Sequence, residues 1–246
     1  MGILTDTLMD ISKPEAVKTY PFFCLLHISD PMLPIGGFTQ SFGLETYVQK
    51  GIVHNAGSAK KYLESFLLNN FLYNDLLTVK LAWEYAGEAN LDGICHLEKI
   101  ISAAKTPREI RMASTKLGAR FSIIVESVLK DHSFFNSYLQ MVKSGQCDGH
   151  YSIIYGLATK LLDIDKTFAL SAVSYNTASQ IVNNCAKLVP ISQQDGQKIL
   201  FGAQAIFQQI IDKVETLNEN SLGISFVGFD LRSMQHERLY TRLYIS

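Results

Sequence analysis

An all-α fold in a single domain follows from three features of this 246-residue sequence. Apolar residues recur at steps of three and four along nearly every long segment, which places them on one face of a helix. Helix start and stop signals bound those segments. Nothing alternates like a βαβ unit, repeats at a fixed period or reads as a low-complexity linker, so helices must bury their stripes against other helices. Roughly eight to ten helices are expected.

Residues 1–20 carry Asp6 and Asp10 and lack the basic start and small-residue cleavage site of a secretory signal. They are expected to be a partly disordered N-terminal segment ahead of a helical body, 21–229, and a C-terminal helix and tail, 230–246. Early in the body, Leu33-Pro34-Ile35-Gly36-Gly37-Phe38-Thr39-Gln40-Ser41-Phe42-Gly43-Leu44-Glu45 sets proline, adjacent glycines and aromatics just before a helix. Gly36 and Gly37 suit a tight loop needing positive φ, and Ser41 is the cap candidate. From Ser58 the apolar face runs Ala59, Tyr62, Leu63, Phe66, Leu67, Phe71, Leu72, Leu76, Val79 and Trp83. Short helices are expected at 92–104, 133–143 and 152–162.

Thr106-Pro107-Arg108-Glu109 reads as a capping box with proline in the first turn. The helix it opens carries Ile110, Leu117, Phe121, Ile124 and Val128. Asp165 caps the next, whose stripe is Phe168, Ala172, Val173, Ile181, Val182 and Cys185 before Pro190 stops it. Ser192-Gln193-Gln194-Asp195 starts another helix through Ile199, Leu200, Ala203, Ile206, Phe207, Ile210, Val214 and Leu217. Asn218 to Ser221 breaks it, Leu222 to Phe229 reads as an extended connector, and a final helix is expected from Asp230 through Met234 to about Leu239.

Twenty-two basic against 23 acidic residues leave a net charge of −1. No basic stripe exists to displace counterions from a nucleic acid. No window approaches the roughly 18 apolar residues of a membrane span, and the chain is expected in the cytoplasm. Charged residues are only 18% of the chain, against about 25% in typical soluble domains. The surplus apolar surface goes into a large core or is kept for a partner. Cys24, Cys95, Cys147 and Cys185 form no Cys-x-x-Cys pair and are expected to be reduced thiols, mostly buried.

No cofactor is expected. The chain has neither a Gly-Lys-Ser/Thr phosphate loop nor a Gly-x-Gly-x-x-Gly turn, and no Gly-x-Ser-x-Gly elbow. His27, His54, His96, His132, His150 and His236 are scattered without metal-ligand spacing. Cys147-Asp148-Gly149-His150 is the best cluster and Cys95-His96 the next, and a solvated loop and a half-buried helix account for them, so no metal is expected. Glu45, Glu109 and Glu126 are dispersed, with solvent-facing or ion-paired roles as the default. Nothing demands an enzyme. The tail, Met234-Gln235-His236-Glu237-Arg238-Leu239-Tyr240-Thr241-Arg242-Leu243-Tyr244-Ile245-Ser246, is unusual, because chain ends are commonly polar. Its tyrosines and arginines are types enriched at interface hot spots. A terminal helix folded on the body and a partner-binding segment are equally compatible with it.

Three segments resemble the urease accessory protein UreF family: Pro34-x-Gly36-x-Phe38-x-x-Ser41-x-Gly43-Leu44-Glu45; Val189-Pro190-Ile191-Ser192-Gln193-Gln194-Asp195-Gly196-Gln197-Lys198-Ile199-Leu200; and Met234-Gln235-His236-Glu237 followed by Tyr240-x-Arg242-Leu243. The resemblance implies an all-α, non-enzymatic helper in nickel insertion. It implies a homodimer that binds the accessory protein UreD/UreH and recruits the GTPase UreG, the assembly acting on apo-urease. It implies a UreD/UreH-side surface of Phe38, Met234, His236, Tyr240, Arg242, Leu243 and Tyr244, beside the motif loop of Pro34, Gly36, Gly37, Ser41, Gly43 and Glu45. Some relatives carry tyrosine at the Phe38 position, so no hydroxyl role is carried over. Alternatives are control of the partner's GTP hydrolysis, direct nickel carriage by His236 or the Cys147/His150 cluster, and a helical enzyme with an unrecognised pocket.

Overall fold

Every regular element is helical in the computed structural model, which describes residues 19–224, 227–240 and 242–245, with backbone alone at Thr19 and Phe38. The N-terminal segment expected to be disordered lies, up to residue 18, outside the described residues. Helix α1 (Thr19–Ile28) leads through a loop with one 3₁₀ turn (Gly37–Thr39) into α2 (Leu44–Gln49). Next, α3 (Ala56–Phe66), a π-helical segment (Leu67–Leu76) and α4 (Leu77–Gly87) follow one another without a break. Then come α5 (Leu91–Ala104), α6 (Arg108–Leu129), α7 (Ser133–Lys143), α8 (Tyr151–Leu161) and α9 (Lys166–Leu188). The chain ends with α10 (Gln193–Gly202), α11 (Gln204–Glu215) and α12 (Val227–His236). No strand occurs among the described residues.

Residues of the stripe from Ala59 through Val79 are buried as the spacing predicts. The π-helical turns sit where side-chain amides enter the backbone ladder: Asn69 Nδ2 donates to the Ser65 carbonyl and Asn74 Nδ2 to that of Asn70, both at 3.0 Å. α4 packs along α8, and α8 is flanked by α6. Tyr138, Tyr155, Phe71, Phe121 and Phe135 are the largest fully buried side chains, each removing about 1.5–3 kcal/mol of apolar exposure by the usual area scale. Trp83 stands between α4, α8 and α9: its Nε1 donates to the Ile164 carbonyl at 3.1 Å and Lys160 Nζ lies 4.2 Å from its ring centre.

Asp165 and Ser192 cap α9 and α10 as expected, accepting from the Phe168 and Asp195 amides at 3.1 and 3.0 Å. α9 ends two residues before Pro190. Other expectations are corrected. The helix expected across Gln193 to Leu217 divides at Ala203 into α10 and α11. The final helix opens three residues early, at Val227, taking the end of the supposed connector. Ser41 caps nothing: its hydroxyl is buried without a partner, and Gly43 stands at the α2 N-cap. The Thr106–Glu109 capping box does not form, and Thr106 makes no side-chain cap bond to α6. Cys147 and Cys185 are buried, while Cys24 and Cys95 are half-buried; all are free thiols.

Candidate functional site

Glu109 abandons the cap because it has a tertiary use. It projects from the first turn of α6 toward α12, where its Oε2 accepts from His236 Nδ1 at 2.7 Å and its Oε1 from Arg242 Nη1 at 2.7 Å. On the other face of the same imidazole, Glu45 Oε2 lies 3.1 Å from His236 Nε2. Glu45 is buried at the start of α2, where the helix dipole favours a carboxylate. It also accepts from the tail amides of Leu243 and Tyr244 at 2.8 and 3.2 Å. The Ile245 amide then donates to the Thr39 carbonyl at 3.0 Å. Glu45, Glu109, His236 and Arg242 thus clasp the chain end onto the motif loop.

Close approach of α12 to α2 depends on Gly43. Its φ is +83°, and a Cβ there would stand 2.6 Å from Ser233 Oγ. Thr46 Oγ1 donates to the Arg232 carbonyl at 2.9 Å, fastening the same two helices. Of the residues expected to face a partner, His236 is completely enclosed and Tyr244 is buried. Burial, aided by Glu45 and Cys185, pushes the Tyr244 phenol up to about 12, and its Oη has no partner. These two hold the clasp and present no surface. Tyr240 and Leu243, with Ile245 beside them, are the exposed apolar side chains of the tail, and Met234 is exposed on α12. Arg242 is half-exposed at the edge. Pro34 is exposed; Gly36 and Gly37 are buried, with Gly36 at φ +89°. The Phe38 side chain lies outside the described residues.

A second polar cluster lies around α5 and the turn before α8. Glu98 is buried on α5, accepting from Tyr138 Oη at 2.5 Å and from the Asp148 amide at 3.3 Å. Burial raises its carboxyl to about 7, against the pull of those hydrogen bonds. His150 is fully enclosed, its Nε2 2.8 Å from Ser102 Oγ and its Nδ1 3.0 Å from Ser114 Oγ. Burial, helped by Lys105, lowers it to about 4, so its ring is neutral at pH 7. Ser102 Oγ also donates to Asp148 Oδ2. Cys95 Sγ and Cys147 Sγ stand 3.2 Å apart, and burial raises the Cys147 thiol. The turn reaches α6 because of Gly118, where a Cβ would meet the Gly149 carbonyl at 2.0 Å.

The fold and the clasp define an all-helical protein whose chain end is held against its own N-terminal loop, and comparison with known sequences gives the class a family. The sequence model described as UreF matches residues 53–204. A urease accessory protein UreF of Actinobacillus pleuropneumoniae serotype 5b (strain L20) is 39% identical over 222 residues, 90% of this chain and 97% of the relative. Those of Haemophilus influenzae (strain ATCC 51907 / DSM 11121 / KW20 / Rd) and Lachnoclostridium phytofermentans are 38% and 30% identical over the same length, covering 94% and 97% of themselves. The chain belongs to the UreF family of urease accessory proteins.

The tail and the motif loop, Glu45 within it, are legible in the sequence, whereas Glu109 reads there as a capping residue. No local signal joins positions 45, 109 and 236. The only available hint was that a buried-type loop and an apolar tail each carried an otherwise unneeded charge.

Proposed function

We propose that this protein is a non-enzymatic, cytoplasmic scaffold of urease maturation. As a homodimer it binds a UreD/UreH-type protein and recruits a UreG-type GTPase, so that nickel is inserted into apo-urease at the expense of GTP. Family membership supports the accessory role. The single observation that carries the docking assignment is the clasped tail: Glu45, Glu109 and His236 fix its backbone, and Tyr240, Leu243 and Ile245 are left exposed around Arg242. Exposed tyrosine and aliphatic side chains on a fixed backbone lose little freedom on docking. No described helix is long and apolar enough to cross a membrane. The GTPase's own phosphate-binding machinery makes a nucleotide motif unnecessary here.

The test is capture of the UreD/UreH-type and UreG-type partners by full-length protein and by Arg242→Ala, scored beside urease activation. The variant is expected to fold normally and to lose ternary complex. Undiminished capture of both partners would overturn the tail assignment.

A further inference from the structure

The turn before α8 gathers three ligand-type side chains away from the clasp: Glu98 and Asp148 line a solvent-open cleft, and His150 is buried behind Ser102 of the cleft wall. Glu98, Asp148 and His150 each offer one ligand atom, all within 4.8 Å of one another. Ligand atoms around a divalent ion stand about 2.0–2.2 Å from it, hence at most about 4.4 Å apart. A closure of a few tenths of an ångström would therefore complete three-point coordination. The residues are differently supported, as a site with an exchangeable ion requires. Glu98 stands on the rigid α5 and is fixed by Tyr138. Asp148 and His150 flank Gly149, whose φ of +75° bends the chain between them. The Asp148 carboxylate is half-exposed, while the cleft wall is made by Glu98, Ser102, Cys147 and Asp148 with Lys99 and Arg111 at its rim.

Ser102 Oγ occupies the bridging position, bonded both to Asp148 Oδ2 and to His150 Nε2, which are 4.0 Å apart. That is where a cation shared by the two would sit. Ser114 Oγ at His150 Nδ1 can accept as readily as it donates. With the one Ser102 proton given to Asp148, His150 Nε2 donates to Ser102 Oγ. A cation at the bridging position would replace that contact, the ring proton moving to Nδ1 where Ser114 accepts it, the usual outer-shell support of a ligating histidine. Two of the nearby positive groups are engaged elsewhere: Lys105 pairs with Asp75 at 2.8 Å, and Arg111 Nη1 donates to the Lys105 carbonyl at 2.9 Å.

We propose that Glu98, Asp148 and His150 form an exchangeable site for a divalent first-row transition-metal ion, entered from solvent through this cleft. Two carboxylate oxygens and one imidazole nitrogen select a borderline ion over a soft one, with solvent filling the remaining positions. Cys147 stands in the cleft wall next to Asp148 without belonging to the cluster, and Cys95 Sγ lies 3.2 Å from its sulfur.

The test uses the full chain and cobalt(II) as probe, followed by calorimetric titration, visible absorption and metal-dependent thermal melting. Wild type is expected to take up one ion per chain, to melt higher in its presence and to show no thiolate-to-cobalt charge-transfer band. Asp148→Asn changes a half-exposed side chain and should fold as wild type. It is expected to bind at least about tenfold more weakly, the lower end of what even outer-shell losses cost, and to lose the rise in melting temperature. Glu98→Gln should do the same, whereas Cys147→Ser should bind as wild type. Absence of uptake at millimolar cobalt, or uptake unchanged in both Asp148→Asn and Glu98→Gln, would overturn the proposal.

Discussion

His150 and His236 are both completely buried, yet their surroundings make them opposites. His236 has a carboxylate at each nitrogen, Glu109 at 2.7 Å and Glu45 at 3.1 Å. A neutral ring has one N–H and can donate to only one of them; the doubly protonated ring donates to both. His150 has a hydroxyl at each nitrogen, from Ser114 and Ser102. Hydroxyls reorient to serve either tautomer, and burial without a facing pair of carboxylates leaves that ring neutral. Equal burial therefore decides little, and the partner chemistry decides what each ring does. One histidine bridges two carboxylates and closes a chain end. The other is a neutral, adjustable group beside an open cleft.

Glu45 carries the largest expected effect. Glu45→Ala removes the acceptor for His236 Nε2 and for two tail amides at once, and each buried donor left unsatisfied costs about 1–3 kcal/mol. Urea unfolding should show that loss, and limited proteolysis should cut the tail first. A loss below about 1 kcal/mol would mean that Glu45 does not hold the clasp.

The cleft can be tested through pH. Glu98 is raised from 4.5 to about 7, so the folded state keeps a proton that the unfolded chain releases. Its contribution is complete below about pH 4.5 and is lost as pH rises to 7. His150 is lowered from 6.5 to about 4, so the unfolded chain takes up a proton that the folded state refuses. Its contribution is complete above pH 6.5 and is lost as pH falls to 4. At about 1.4 kcal/mol per pH unit, each slope amounts to about 3 kcal/mol and the two oppose each other between pH 4.5 and 6.5. In metal-free buffer, Glu98→Gln should unmask the histidine: the variant loses up to about 3 kcal/mol more than wild type between pH 6.5 and 4.5. Parallel denaturant midpoints for the two proteins across that range would contradict this account.

Two glycine substitutions separate the regions. Gly118→Ala drives a methyl into the Gly149 carbonyl, and Gly43→Ala drives one into Ser233 at a left-handed backbone position. Each should cost about 1–3 kcal/mol. Gly43→Ala should expose the tail to protease, while Gly118→Ala should leave the tail protected. Equal tail cleavage in both would merge the two regions into one cooperative unit. The smallest effect is expected from Arg242→Ala. Its half-exposed pair with Glu109 should contribute no more than about 1 kcal/mol to stability in a thermal or urea melt.

Much of the fold was legible because it is local. The period-3.6 stripe of α3 and the caps at Asp165 and Ser192 are decided within a few residues. The stripes of α6 and α9 hold except at Val128 and Phe168, which are exposed while Val125 and Leu129 take the buried face at the end of α6. The errors arose where a distant partner outbid a local one. Glu109 sits in a sound capping-box position, but its carboxylate serves His236 and Arg242, 127 and 133 residues away. Val227 and Gly228 extend the last helix because Phe229 is buried against Tyr47, Tyr62 and Phe66, a pocket no local pattern announces. At the cleft, Cys147 to His150 stood out as a string, but Glu98 comes from another helix. The tail and motif loop were found as unusual compositions. Their union through Glu45 was not, since a lone buried glutamate has no sequence signature.

Trp83 carries a practical consequence. It is the sole tryptophan of the chain, and its neighbours Ile164, Lys160 and Lys166 belong to the junction of α4, α8 and α9. Its emission is thus a built-in optical gauge of the helical body. Release of the C-terminal segment should pass unseen in that signal, while collapse of the body registers fully. Fluorescence and protease sensitivity, recorded on one sample, will therefore report two separate openings of the same molecule.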